Sequence, residues 1–278
     1  MHTKTELVAL LKSRGLRLSS RLGQHYLIDA RLMTRAVESC GLRPDDIVLE
    51  IGAGLGALTE GLVRVAKRVI AVEFDRQIAV LLQERLASQG NVTVLHEDIL
   101  RVRWEDHPFT VVVGTIPYQL TSEVLVRLCQ QGRLRGAWLG VQAEVARRLS
   151  ARPGTKEYGR LTLLGQHRFV IKPLFRMPRQ AFFPEPNVES TWIELQPLPP
   201  SGADPRDERL AFELARAAFA HRRKTLANCL ASVASADGGR LCAETIRAAI
   251  DTLGLPPSVR GERLSFDQFL TLARSLRR

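Results

Sequence analysis

The sequence predicts an α/β fold, a doubly wound and mostly parallel sheet with an antiparallel edge, followed by a small C-terminal helical domain. Three observations carry this. From residue 47 onward, short apolar runs alternate with helical stretches, as parallel strands do when joined by crossover helices on both faces. After residue 160 the alternation stops, and extended runs follow one another without a crossover helix, which implies an antiparallel edge. Gln196-Pro197-Leu198-Pro199-Pro200-Ser201-Gly202 then breaks the chain, and helical periodicity fills the remainder.

Residues 5–18 have apolar spacing suited to a short amphipathic helix, a basic loop runs from Arg17 to Tyr26, and 29–40 form a second helix. The first strand is Ile47–Ile51, which ends in glycines, and Leu58–Ala66 is helical. Arg68–Glu73 is the next strand, with a helix over 76–88. Asn91–Leu95, Thr110–Gly114 and Gly136–Val141 complete the parallel set, and a helix starts at Glu144. Leu161–Leu164, Arg168–Ile171 and Val188–Leu195 read as the closing strands. Helices are expected over 205–220, 222–234, 243–253 and 265–276. The domain boundary falls at 200/201. Residues 1–200 form the larger domain, with a helical segment over 1–40, and 201–278 form the smaller one.

The chain is 278 residues long and 45% apolar, enough for a real core. Lys and Arg number 40 against 29 Asp and Glu, a net charge of +11, which suits a polyanionic partner such as nucleic acid. Cys40, Cys129, Cys229 and Cys242 include no Cys-x-x-Cys pair. Reduced thiols and no metal site are expected. The N-terminus lacks the apolar run of a signal peptide, and no stretch reaches the ~20 apolar residues that span a bilayer. A cytoplasmic protein without a membrane partner is expected.

Glu50-Ile51-Gly52-Ala53-Gly54-Leu55-Gly56 joins a strand to a helix. Its Gly-x-Gly-x-Gly spacing differs from the dinucleotide fingerprint Gly-x-Gly-x-x-Gly. Glu50 would repel a pyrophosphate but suits a ligand with an amino group, which argues for S-adenosylmethionine over a dinucleotide. Glu73 ends the second strand, where a carboxylate can accept from ribose hydroxyls. Asp98 follows the third, placed to bind the adenine amino group. Three acids at successive strand ends beside a glycine loop make a cofactor site.

Further motifs give these residues a family. Arg21-Leu22-Gly23-Gln24-His25-Tyr26-Leu27 precedes the sheet, and Thr115-Ile116-Pro117-Tyr118 ends a strand. Val141-Gln142-x-Glu144-Val145-Ala146-x-Arg148 and Tyr158-Gly159-Arg160-Leu161 lie in the middle. Phe182-x-Pro184-x-Pro186-x-Val188-x-Ser190 follows. Phe219-x-x-Arg222-Arg223-Lys224-Thr225-Leu226 and Arg260-x-Glu262-x-Leu264-Ser265 lie in the helical region. Over nearly its whole length the chain resembles the ribosomal RNA adenine dimethyltransferase family, whose relatives include the erythromycin-resistance methyltransferases and mitochondrial transcription factors. The resemblance implies a class I methyltransferase-type sheet that binds S-adenosylmethionine and releases S-adenosylhomocysteine. It also implies dimethylation of two adjacent adenosines near the 3′ end of small-subunit rRNA, in an immature small ribosomal subunit, by a monomer. Gln24, His25, Leu27, Glu50, Gly52, Gly54, Glu73, Asp98 and Thr115 would bind the cofactor.

An adenine amine is a weak nucleophile because its lone pair is delocalised into the ring. The side chain of Thr115 and the Ile116 carbonyl would accept its hydrogens, Pro117 would stiffen the turn, Tyr118 would stack on the base and Phe182 would supply the opposing face. Relatives carry Asn where this chain has Thr115. A hydroxyl replaces an amide oxygen there, which brings in a second reading: a catalytically weakened ribosome-assembly or RNA-binding factor. A third is an adenine methyltransferase acting on another RNA, such as 23S rRNA. Arg222, Arg223 and Lys224, with Arg216 and His221, form a basic cluster suited to phosphates. Arg147 and Arg148, with Arg133, Arg135, Arg152 and Lys156, would extend that track.

Overall fold

A computed structural model describes residues 4–16, 24–233 and 241–277. Seven strands form the main sheet: β1 (Ile47–Ile51), β2 (Arg68–Glu73), β3 (Val92–His96), β4 (Val111–Thr115), β5 (Gly136–Gln142), β6 (Phe169–Met177) and β7 (Ser190–Pro197). Their spatial order is β3-β2-β1-β4-β5-β7-β6. The first five pair in parallel, and β7 runs antiparallel to β5, with Gly140 opposite Trp192. The antiparallel edge is therefore present. Chain order reverses between β1 and β4, so their carboxyl ends open a crevice. Val48, Leu49, Val111 and Val112 are buried on a sheet covered on both faces.

Helix Ala30–Ser39 begins at Asp29, whose side chain accepts from the Leu32 N–H, and Arg76–Arg85 begins at Asp75, which accepts from Gln77 and Ile78. Helix Lys4–Ser13 buries Leu7 and Leu11 in a cluster with Leu55, Ile78 and Leu81. Tyr26–Leu27 pairs antiparallel with Phe182–Phe183 in a separate two-residue ribbon.

Two expectations fail locally. Leu161–Leu164 is part of a helix, Arg160–Gln166, and not a strand. Its β-like apolar run covers one buried face, with Thr162 and Leu163 inside, and a short run does not reveal its period. The chain also has a helix at Thr121–Cys129, between β4 and β5, where none was expected; Val124, Leu125 and Leu128 form its buried face. The helix expected over 222–234 is shorter. A turn covers 221–224, Leu226–Leu230 is helical, and residue 234 lies outside the described residues, as do 17 and 18 of the first expected helix.

The chain divides into two compact units, Met1–Ala146 with Val170–Pro197, and Arg147–Phe169 with Leu198–Arg278. The second unit begins beside the expected linker but also takes in 147–169, which the sequence reading placed in the larger domain. Polar anchors explain this: the Tyr158 hydroxyl donates to the Leu264 carbonyl at 2.8 Å, and the Gly154 N–H to the Glu262 carbonyl at 2.7 Å. The second unit has its own core, including Leu214, Leu226, Leu264 and Phe269. Its helices include Arg160–Gln166, Pro205–Ala220, Leu226–Leu230, Ala243–Asp251 and Phe266–Arg277.

Candidate active site

A cavity lies at the carboxyl ends of β1, β2 and β4, where the sheet order reverses. Its wall includes Gln24, His25, Leu27, Glu50, Gly52, Gly54, Glu73, Asp98 and Thr115, so every residue expected to hold the cofactor lines one space. Residues 21–23 of that N-terminal motif lie outside the described residues.

The loop after β1 is built from its glycines. Gly52 and Gly54 have φ of 69° and 56°, a region that side chains disfavour. A Cβ on Gly52 would stand 3.0 Å from the Thr115 carbonyl oxygen, and one on Gly54 would press into the Tyr26 ring at 2.9 Å. The main chain can therefore approach a ligand closely.

Two buried acids differ in their partners. Glu73 accepts the Gly54 N–H at 2.8 Å on one oxygen and the Asp75 N–H at 2.9 Å on the other. Burial pushes its carboxyl up from the usual range, and these N–H bonds pull it part of the way back. Each oxygen keeps a second lone pair for a ribose hydroxyl. Glu50 is 1% exposed and its Oε2 has no hydrogen-bond partner among the described residues. Burial pushes its carboxyl up to about 8; Thr59 offsets part of this and the nearby Glu73 adds to it. A buried acceptor facing a cavity without a donor costs free energy until a ligand supplies one. An ammonium group matches that need, so the donor set fits the amino acid end of S-adenosylmethionine.

Asp98 lines the same cavity, and its Oδ1 accepts the Leu100 N–H at 2.9 Å. The sequence reading gave no role to two aromatic residues of the wall, Phe74 and Tyr26. Phe74 stands between Glu73 and Asp75, 55% exposed. An exposed aromatic leaves no periodic trace, so no signal marked it. Tyr26 sits inside the quoted motif, yet its buried hydroxyl without a described partner emerges only from the fold. Gln24 donates to Asp75 at 2.8 Å and thereby joins the N-terminal segment to the helix after β2.

Thr115 also belongs to a second, smaller cavity, with Ile116, Pro117, Tyr118 and Phe182. The five residues expected at the reacting centre thus come together. The Ile116 N–H donates to the Gly140 carbonyl at 3.1 Å, which fixes the turn against β5. The Tyr118 hydroxyl pairs with that of Ser190 at 3.0 Å. No described residue hydrogen-bonds the Thr115 hydroxyl, which leaves it open as an acceptor. Phe182 is 5% exposed and packs in the main core; the ring that faces Tyr118 is that of His25, with centroids 6.2 Å apart.

The basic candidates lie in the second unit. Arg222, Arg223 and Lys224 are exposed on the turn after helix Pro205–Ala220, and Arg147 and Arg148 are exposed on helix Ala143–Leu149. Arg222 is engaged by Glu262 at 3.0 Å and by the Lys156 carbonyl at 3.1 Å. Arg135 does not extend the track: its guanidinium is bound to the buried Asp46 at 2.7 Å. Among the described residues no cluster of His, Cys, Asp and Glu could hold a metal ion, and no helix is long and apolar enough to cross a membrane.

Known proteins are similar to this chain over most of its length. The family model for ribosomal RNA adenine dimethylase matches residues 15–272. The ribosomal RNA small subunit methyltransferase A of Bacillus cereus (strain B4264) is 36% identical over 276 residues, covering 96% of this chain and 94% of that protein. The crystal structure of a dimethyladenosine transferase from Plasmodium falciparum superposes with a TM-score of 0.78 at 26% identity, covering 89% of this chain and 96% of the other. That of the 23S rRNA methyltransferase ErmE gives 0.70 at 27% identity, covering 91% and 100%.

Proposed function

This chain belongs to the ribosomal RNA adenine dimethylase family, is an S-adenosylmethionine-dependent rRNA adenine methyltransferase with a class I methyltransferase fold, and, we propose, dimethylates two adjacent adenosines near the 3′ end of small-subunit rRNA. The choice of the small subunit is supported by the near full-length match to small-subunit methyltransferases. The carrying observation is the shared wall at Thr115, which borders both the acid-lined cavity and the cavity of Tyr118.

The cofactor supplies a methyl group on a sulfonium. Glu50 would hold its amino group, Glu73 its ribose hydroxyls and Asp98 its adenine amine, while Gly52 and Gly54 let the main chain close on it. Tyr118 would stack on the target base, an interaction of about 1–3 kcal/mol. The Thr115 hydroxyl and Ile116 carbonyl would accept from the target amine and return electron density to its nitrogen. A proton need leave only after the methyl arrives, so no strong base is required. Alignment of the reacting atoms supplies several kcal/mol. Arg222, Arg223, Lys224, Arg147 and Arg148 would contact phosphates of an immature small subunit in the cytoplasm, without reading bases.

The open Thr115 hydroxyl favours an active enzyme over a weakened assembly factor. Methyl transfer to immature small subunits by the natural protein and by Thr115→Asn tests this. Dimethylated adenosines are expected from both, with Asn faster by up to roughly a hundredfold, the worth of one well-placed donor or acceptor. Methylation of large-subunit RNA alone would refute the substrate, and transfer by Thr115→Asn alone would restore the assembly-factor reading.

A further inference from the structure

A single turn follows β3. In it the Arg101 and Val102 N–H groups donate to the Asp98 carbonyl at 2.7 and 3.0 Å, and the Leu100 N–H donates to the Asp98 side chain at 2.9 Å. Such a turn does not run on into a helix, so no following turn supplies donors to its carbonyls. Arg127 supplies them from outside. Its guanidinium donates to the Ile99 and Val102 carbonyls and lies over the Trp104 ring, 4.6 Å from its centroid. Trp104 is 2% exposed and meets Phe109 edge to face, with centroids 5.5 Å apart. A planar fork set between two carbonyls and an aromatic face has one orientation. Burial pulls this guanidinium down from its ordinary range, and the charges of Glu105 and Asp98 pull the other way.

Arg127 sits on helix Thr121–Cys129, which begins three residues after Tyr118. The Thr121 hydroxyl donates back to the Tyr118 carbonyl at 3.3 Å. Asp98 and Ile99 line the acid-lined cavity, as do Gln119 and Leu120 at the approach to this helix. Arg127 is not itself part of that wall. We propose that Arg127 is a positioning residue: it fixes the Asp98 turn to the helix behind the target turn, and thereby sets how strictly Asp98 selects a cofactor whose purine carries a 6-amino group. The inference rests on the placement of Asp98 proposed above. A guanidinium with two carbonyl acceptors holds both ends of the turn at once, which a point charge on a flexible stem does less well.

The test uses the full chain and calorimetry with two probes, S-adenosylhomocysteine and S-inosylhomocysteine, in which a carbonyl replaces the 6-amino group. The natural protein is expected to prefer the adenine probe by at least roughly tenfold, the worth of one hydrogen bond to a charged acceptor. Asp98→Ala should remove that preference. Arg127→Met keeps an apolar stem but loses every donor, and should cut the preference to about threefold or less. Arg127→Gln keeps one amide donor and should fall between; it is the milder change should Arg127→Met fail to fold. Adding Arg127→Met to Asp98→Ala should alter the preference no further, because the two act through one contact. Equal weakening of both probes in the folded Arg127 variants, the mark of a merely structural role, leaves the preference at its natural value and overturns the inference. A natural protein without the preference, or one whose preference survives Asp98→Ala, sinks the placement of Asp98 and the inference with it.

Discussion

The two sides of the site are built differently. On the proposed cofactor side the parts are main-chain turns and carboxylates at strand ends: Gly52, Gly54, Glu50 and Glu73 all fall within 24 consecutive residues, 50–73. On the proposed target side the parts are rings fixed by polar contacts from distant segments. His25 is tied to Pro184, 159 residues on, and Tyr118 to Ser190, 72 residues on. The first arrangement follows from where the sheet puts its strand ends, whereas the second exists only once the ribbon and the antiparallel edge are in place. Damage to the cofactor side should therefore be local and severe. Damage to the target side should be graded and spread over several residues.

The severest test of that contrast is Glu73→Ala. It removes the proposed ribose acceptor and frees the Gly54 and Asp75 N–H groups together. Bonds to a charged acceptor contribute about 1.5–3 kcal/mol each, so binding of S-adenosylmethionine should fall by more than roughly a hundredfold in calorimetry. Unchanged affinity would misplace the ribose.

The next effect concerns Glu50 and pH. A carboxyl with its pKa raised to about 8 in the fold favours the protonated form. Its contribution to the stability of the cofactor-free protein is full below the ordinary carboxylate range and is lost as pH rises through about 8. Cofactor affinity moves the opposite way. It should climb with pH as Glu50 ionises, then fall as the cofactor's own α-amino group, near pH 8, loses its proton. Glu50→Gln should abolish the climbing limb and weaken binding roughly tenfold at the optimum. An unaltered pH profile in that variant would remove Glu50 from the ammonium site.

The smallest effect belongs to the basic turn at 221–224 in the second unit. Arg223→Ala should lower RNA affinity and reduce the slope of log affinity against log salt by about 1. Arg222→Ala should change it less, because Glu262 already holds that guanidinium. Equal slopes for the two variants would discount the ion pair.

The same contrast explains what could be read before any fold was known. The strands β1 to β5 and the acids Glu50, Glu73 and Asp98 announce themselves through local pattern, because a buried parallel strand is a short apolar run and its end is the next residue. Helix Arg160–Gln166 escaped because seven residues with Leu161, Leu163 and Leu164 fit either period. Helix Thr121–Cys129 escaped because its opening, directly after Tyr118 to Leu120, was read only for chemistry. Phe182 was legible as an aromatic near the site, but its burial depends on packing against residues far away in the chain. The facing of His25 and Tyr118 has no sequence signature, since ring spacing is set by two anchors 6 residues apart in a segment that each ring meets from elsewhere.

The placement of the two acids has a consequence for turnover. Glu50 and Glu73 would hold the amino group and the ribose, parts that remain unchanged when the methyl group departs. Neither acid can tell fresh cofactor from spent. Discrimination would then fall to other groups of the wall, among them Thr115 and His25, which border both cavities. On the proposed binding scheme the demethylated product would inhibit, and the rate at which it leaves would limit how quickly a second methyl can follow the first.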